Sequence, residues 1–245
     1  DHLDTIGELD NTIIVVLSDN GASPEGDRHG AFNSVSWYNS VPLSLEAVLP
    51  NVDLLGGPES HGHYPYGWAH AGNTPFQRWK RECHEGGVAD PLIVHWPAGT
   101  GATGSVRTQY LHAIDIMPTV LDALGLDMPT TIDGVAQKPI EGRSLLPSFT
   151  EAEAPVGRQS QYYELLGCRA IYHDGWKAVA YHPMRGQLYV PGIDPDIPFD
   201  EDRWELYHVA EDFSESFDLA ATHPEKLREM VDRWWAEAGA HGALP

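Results

Sequence analysis

The chain has 245 residues, 42% of them hydrophobic, with eight Trp and ten Tyr. That is enough apolar material to bury the core of one large globular domain or two small ones, and it excludes a disordered chain. Fifteen Lys and Arg against 36 Asp and Glu leave a formal charge of −21, which excludes the basic footprint of a nucleic-acid binder and requires any anionic substrate to be drawn in by a local cation or lysine.

Leu3, Ile6 and Leu9 recur at helical spacing, as in the last turns of a helix. The chain reads as a fragment or processed piece of a longer protein. Ile13, Ile14, Val15, Val16 and Leu17 form a continuous apolar run, the pattern of a strand covered on both faces in a parallel sheet. The run ends on Ser18-Asp19-Asn20-Gly21, placing Asp19 and Asn20 at the carboxyl end of that strand, the edge where open α/β sheets bind ligands. A carboxylate beside an amide oxygen suits a hard cation such as Ca²⁺ or Mg²⁺; read alone, Asp-Asn-Gly is more simply the composition of a plain turn. A long passage from Gly21 to about Thr74 follows, punctuated by glycine and proline, with one short helix expected over 43–49.

In residues 64–99, Lys80 stands among aromatics shortly before a Glu85-Gly86-Gly87 turn. It reads either as a donor to an anion or as a solvated surface charge. His61, His63, His70 and His84 lack the spacing of a zinc site and read as loop and core histidines. A second buried strand is expected at 91–96. Residues 112–125 form an amphipathic helix capped by Asp115 and stopped at Gly125. From about Pro155 the pattern changes to short strands at 161–167, 169–175 and 176–182, with an Asp174-Gly175 hairpin. A proline-rich acidic loop over 183–202, a strand at 204–209 and a helix at 223–239 complete the chain. Cys83 and Cys168 cannot build a disulfide framework; they read as free thiols or, at most, one bridge. No stretch approaches the ~18 apolar residues of a membrane span.

Three motifs now stand in order: a strand ending S-D-N-G, then N-T-P-F-x-x-x-K-x-x-x-x-E-G-G, then P-L-I-V-H-W-P. Together with R-T-Q-Y-L-H-A-I-D-I-M-P-T-V-L-D-A-L-G, E-G-R-S-L-L and W-E-L-Y-H-V-A-E-D, they make the chain resemble the carboxyl-terminal half of the type I sulfatases, in particular the large bacterial arylsulfatases. The resemblance covers nearly the whole chain. It implies an α/β class, the carboxyl-terminal portion of an alkaline-phosphatase-like α/β/α sandwich, with a partial core over 1–155 and a subdomain over 156–245 made of a small antiparallel sheet and a closing helix. It also implies that Asp19 and Asn20 hold a divalent cation, Ca²⁺ with Mg²⁺ as the alternative, and that Lys80 contacts the sulfate of a small-molecule sulfate ester as substrate-binding and catalytic residue.

One departure is large. The family's formylglycine nucleophile arises from a C/S-x-P-x-R motif, and none occurs here; Ser40-Val41-Pro42-Leu43-Ser44 comes closest, with Ser44 where Arg is needed. The formylglycine and the remaining ligands are therefore expected in an absent amino-terminal half, the chain's implied partner, and the chain alone is expected to be inactive. Two alternatives stand beside the arylsulfatase reading. One is a phosphatase or phosphodiesterase of the same superfamily; the other is a non-catalytic accessory chain. The compartment is open between bacterial cytoplasm and periplasm.

Overall fold

A computed structural model describes residues 2–39, 41, 44–100, 104–183, 194 and 196–243. In chain order the elements are α1 (His2–Thr5), β1 (Ile14–Leu17), α2 (Ser34–Tyr38), α3 (Leu45–Val48), α4 (Tyr66–Asn73), α5 (Glu85–Val88), β2 (Leu92–His95), α6 (Ile116–Ala123), β3 (Thr131–Ile132), β4 (Val135–Ala136), α7 (Leu146–Thr150), β5 (Ser160–Leu165), β6 (Cys168–His173), β7 (Trp176–Ala180), β8 (Trp204–His208) and α8 (Pro224–His241). Short 3₁₀ turns at Leu49–Leu54, Ala113–Asp115 and Phe199–Glu201 complete them. The chain divides into two compact units that alternate along the sequence: residues 1–17 with 92–159, and residues 18–91 with 160–245. The chain passes into the second unit for the last time at Gln159–Ser160.

In the first unit β1 pairs with β2, Leu17 opposite Leu92 and Ile14 opposite His95. The pairing is antiparallel, not parallel as expected, and the strand is not covered on both faces. Alternate side chains separate as the pleat dictates: Val15 and Val94 line an apolar cavity with Ile116, Val120, Leu145 and Phe149. The cross-strand partners Val16 and Ile93 are 55% and 61% exposed. An all-apolar run therefore does not by itself report two covered faces. Asp115 stands at the N-cap of α6 as expected, but its side chain does not cap that helix; it turns back to the residues before it. The Asp115 carboxylate accepts from the His112 N–H at 2.9 Å, and a 3₁₀ turn over Ala113–Asp115 leads into the helix. Fully buried, that carboxylate also accepts from the Arg143 N–H at 2.9 Å and pairs with Arg158 at 2.5 Å.

In the second unit β5, β6, β7 and β8 form an antiparallel sheet in sequence order. Asp174 and Gly175 turn the β6–β7 hairpin with φ of 46° and 83°, the left-handed pair that a two-residue loop needs. Both faces of this sheet are buried, and the period of two sorts the residues between them. Ile171, Ala178 and Leu206 pack under Met230, Trp234 and Ala238 of α8. Ala170, Val179 and Tyr207 on the other face pack with Cys83 and Cys168. Helix α8 runs past the expected stop at Gly239 to His241 and ends at Gly242, whose φ of +70° supplies the left-handed cap. Both cysteines are free thiols; burial pushes Cys168 up to about 12 and Cys83 higher still, which makes them unreactive. Most of the 183–202 loop, and Ser40, Pro42 and Leu43 of the closest approach to a nucleophile motif, lie outside the described residues.

Candidate active site

All three residues singled out by the sequence belong to the second unit. Residues 18–21 run beside residues 87–91: the Ser18 N–H donates to the Pro91 carbonyl at 3.3 Å and the Gly21 N–H to the Gly87 carbonyl at 3.5 Å. Between these two bonds lie Asp19 and, on the facing segment, Asp90. Burial, and then the charge of Asp19, push the Asp90 carboxyl up to about 6. Asp19 is exposed and Asn20 half-buried. The Asn20 Nδ2 donates to the Gly21 carbonyl at 3.0 Å, which leaves its Oδ1 available.

Glycine is required where these segments meet. A Cβ on Gly21 would stand 1.7 Å from the Gly86 carbonyl oxygen. On Gly86 it would stand 2.2 Å from the Gln77 oxygen, and on Gly87 2.0 Å from the Glu82 oxygen. Such approaches are impossible for any other residue without moving backbone. Asn73 ties the knot: its Oδ1 accepts from the Ala22 N–H at 2.9 Å, while its Nδ2 donates to the carbonyls of Arg78 and Gly86 at 2.9 and 2.8 Å. Ala22, 51 residues away, is thus tied through one amide group to Arg78 and Gly86.

Lys80 enters through its backbone. Its N–H donates to the Ala22 carbonyl at 3.1 Å, three residues past Asp19. Its ammonium, one-third exposed, pairs with Glu25 at 3.3 Å. Burial works against the Glu25 carboxylate, but the Ser23 hydroxyl and the Lys80 charge together hold it below its ordinary value. One contact engages one of the three donors of an ammonium and leaves the others for an anion.

Behind this loop stands a charged network that sequence reasoning missed. Lys177 of β7, 1% exposed, contacts Glu85 at 2.6 Å and the fully buried Glu215 at 2.9 Å. The other Glu215 oxygen accepts from the Glu85 N–H at 2.8 Å. His84 meets Glu205 at 2.9 Å. Of the remaining histidines, His61 bonds the Ser34 hydroxyl at 2.6 Å and His70 meets Trp79 edge-on. The signal for Lys177 was a lysine in a strand at the same parity as buried Val179; for Asn73 and Glu85 it was their place in the N-T-P-F and E-G-G motifs.

The donor chemistry of Asp19 and Asn20 fits a hard divalent cation, since a carboxylate and a neutral amide oxygen are both ligands of that class. They would supply two of the six to eight oxygens that Ca²⁺ takes. Among the described residues no cluster of three or more His, Cys, Asp or Glu side chains is arranged to hold a metal.

Comparison with known proteins agrees with the motifs. The Sulfatase family profile matches residues 1–126, and that of the carboxyl-terminal region of N-sulphoglucosamine sulphohydrolase matches residues 76–234. An uncharacterized sulfatase of Schizosaccharomyces pombe is 31% identical over 239 residues, spanning 96% of this chain and 39% of its own length. An arylsulfatase of Klebsiella aerogenes is 26% identical over 162 residues, 66% of this chain and 32% of its own. A solved structure from work on glycosaminoglycan metabolism by Bacteroides thetaiotaomicron superposes with a TM-score of 0.57 at 21% identity, covering 96% of this chain and 40% of that one. The chain thus spans about two fifths of the length of relatives it matches almost end to end, and it shares their α/β architecture. From the S-D-N-G and E-G-G loops to α8, the chain belongs to the type I sulfatase family.

Proposed function

We propose that the complete protein containing this chain is a sulfate-ester hydrolase of the arylsulfatase type, and that this chain supplies part of its active site. One observation carries the reading: Lys80 is fixed by its own backbone to the segment that bears Asp19 and Asn20. In this reading Asp19 and Asn20 hold Ca²⁺, or Mg²⁺ in its place, through the carboxylate and the amide Oδ1. The ion, when bound, polarises the sulfate group. Lys80 donates to sulfate oxygens on which negative charge builds up in the transition state, which also offsets the chain's overall repulsion of anions. The formylglycine nucleophile and the other ligands come from the amino-terminal half of the protein, because no C/S-x-P-x-R motif lies in these 245 residues. By itself the chain should be inactive and should hold Ca²⁺ weakly, since affinity rises with the number and charge of the ligands.

The test is to express the complete reading frame together with a formylglycine-forming activity and to assay chromogenic aryl sulfate and aryl phosphate, with Ca²⁺ and with chelator. Metal-dependent turnover that favours the sulfate is expected, and none by residues 1–245 alone. Preference for the phosphate would move the protein to the phosphatases of the superfamily. No turnover of either ester would make it an accessory chain. Robust turnover by residues 1–245 alone would demand a different nucleophile.

A further inference from the structure

A lysine ammonium withdrawn from water is costly unless it is fully paired, yet Lys177 is 1% exposed and is the second residue of β7. Its parity in the strand turns it away from α8 and toward residues 77–87, the face that carries Val179. There it meets Glu85 and Glu215 at 2.6 and 2.9 Å. Glu215 is itself in the left-handed region, at φ +54°, a conformation a glutamate adopts only where its surroundings hold it. Those surroundings are Lys177, the Glu85 N–H and the Gln77 side chain, which donates to the Glu215 carbonyl.

From Glu85 the connection continues without a gap. The Gly86 N–H donates to the Gln77 carbonyl at 2.7 Å. The Gly86 carbonyl accepts from Asn73, and Asn73 accepts from the Ala22 N–H. The same Gly86 oxygen lies where a Cβ on Gly21 would be. Shifting the Glu85-Gly86-Gly87 turn therefore shifts Gly21 and Ala22, and with them Asp19, Asn20 and Lys80.

We infer that Lys177 and Glu215 are positioning residues for the candidate active site. Anchored in and beside the carboxyl-terminal sheet, they fix the Glu85-Gly86-Gly87 turn and, through Asn73 and Gly21, the loop that carries Asp19, Asn20 and Lys80. The inference rests on the reading of those three as site residues, and it makes β7 part of the machinery of the site without any contact to substrate.

The experiment uses the complete protein and measures amide hydrogen exchange and Ca²⁺ affinity for wild type, Lys177→Met, Lys177→Arg and Glu215→Gln. In Lys177→Met the amides of Gly21, Ala22, Gly86 and Gly87 should exchange about tenfold faster or more, while those of β5, β6 and α8 stay unchanged. Ca²⁺ affinity should fall about tenfold, since the ligands are no longer held in place. Lys177→Arg, which keeps the charge, should recover most of both effects. A folded Lys177→Met protein with wild-type exchange at Gly21 and Ala22 would overturn the inference. If Lys177→Met does not fold, Glu215→Gln decides by the same amides, because it removes the ion pair and leaves an oxygen for the Glu85 N–H; unchanged exchange there overturns the inference equally. If the wild type binds no Ca²⁺, the metal reading of Asp19 and Asn20 falls, and the exchange pattern still decides the role of Lys177.

Discussion

Lys80 shows how a single side chain can be placed by its backbone and left free to act by its ammonium. The N–H bond to Ala22 fixes where it starts, and Glu25 occupies only one donor. In the catalytically complete protein, Lys80→Ala should lower kcat by about 10²–10³, the usual effect of losing one donor to a developing oxyanion. Stability should change by less than about 1 kcal/mol, because the Glu25 pair is partly exposed. Unchanged turnover would remove Lys80 from the chemistry. Glu205 makes a different prediction. Burial alone would raise its carboxyl, but the His84 ring at 2.9 Å and the Tyr207 hydroxyl at 2.8 Å bring it down to about 2. The folded state then releases this proton more readily than the unfolded state does, so the stabilisation is complete above the ordinary carboxyl range near 4.3 and is lost as the pH falls toward 2. Glu205→Gln should be less stable than wild type by on the order of 2 kcal/mol at pH 7, and the two should converge by about pH 2–3. Urea midpoints at several pH values measure this, and a difference that does not vary with pH would show that the lost bond, not the charge, is what matters. Of the residues proposed for the site, Asp19, Asn20 and Lys80 come from the sequence, where family motifs mark them. Lys177 and Glu215 were not: their meaning lies in contacts spanning 92 and 130 residues, which no local pattern records.

At the scale of elements, Asn73 holds three backbone segments together as the last residue of α4. Asn73→Ala would strip partners from the Ala22 N–H and the carbonyls of Arg78 and Gly86. Unsatisfied polar groups in a part-buried setting make this cost about 2–3 kcal/mol. Asn73→Asp should be no better, since a carboxylate cannot donate to the two carbonyls. Thermal denaturation measures both, and an Asp variant as stable as wild type would contradict the assigned amide orientation. The strands of the carboxyl-terminal sheet were readable because period-two alternation and a glycine turn are local properties. The end of α8 was misplaced for the opposite reason. Gly239 follows buried Ala238 and is carried along by packing, while the cap falls to Gly242, where the backbone actually turns left-handed. Antiparallel pairing of β1 and β2 was likewise invisible, because direction depends on the partner strand and an apolar run looks the same either way.

For the molecule as a whole, the sequence marked the α/β class and the family, while the interleaving of the two units depends on packing alone. The exposed Val16 and Ile93 face leads to a further expectation. Residues 1–245 purified alone should bind an apolar dye and self-associate as concentration rises, since adjacent exposed apolar residues on a short sheet invite pairing. The double variant Val16→Lys, Ile93→Lys should suppress both effects; light scattering from it equal to that of wild type would place the sticky surface elsewhere. The Glu85–Glu215 bond also sets a timetable. At about 5–20 residues per second a ribosome takes roughly 7–26 s to deliver a partner 130 residues downstream. Lys177 follows Glu85 by only 92 residues, so until Glu215 arrives the glycine turn that positions the candidate site has at most half of its anchor. A nascent chain released early would therefore bear every site motif and still lack part of the grip that orders them.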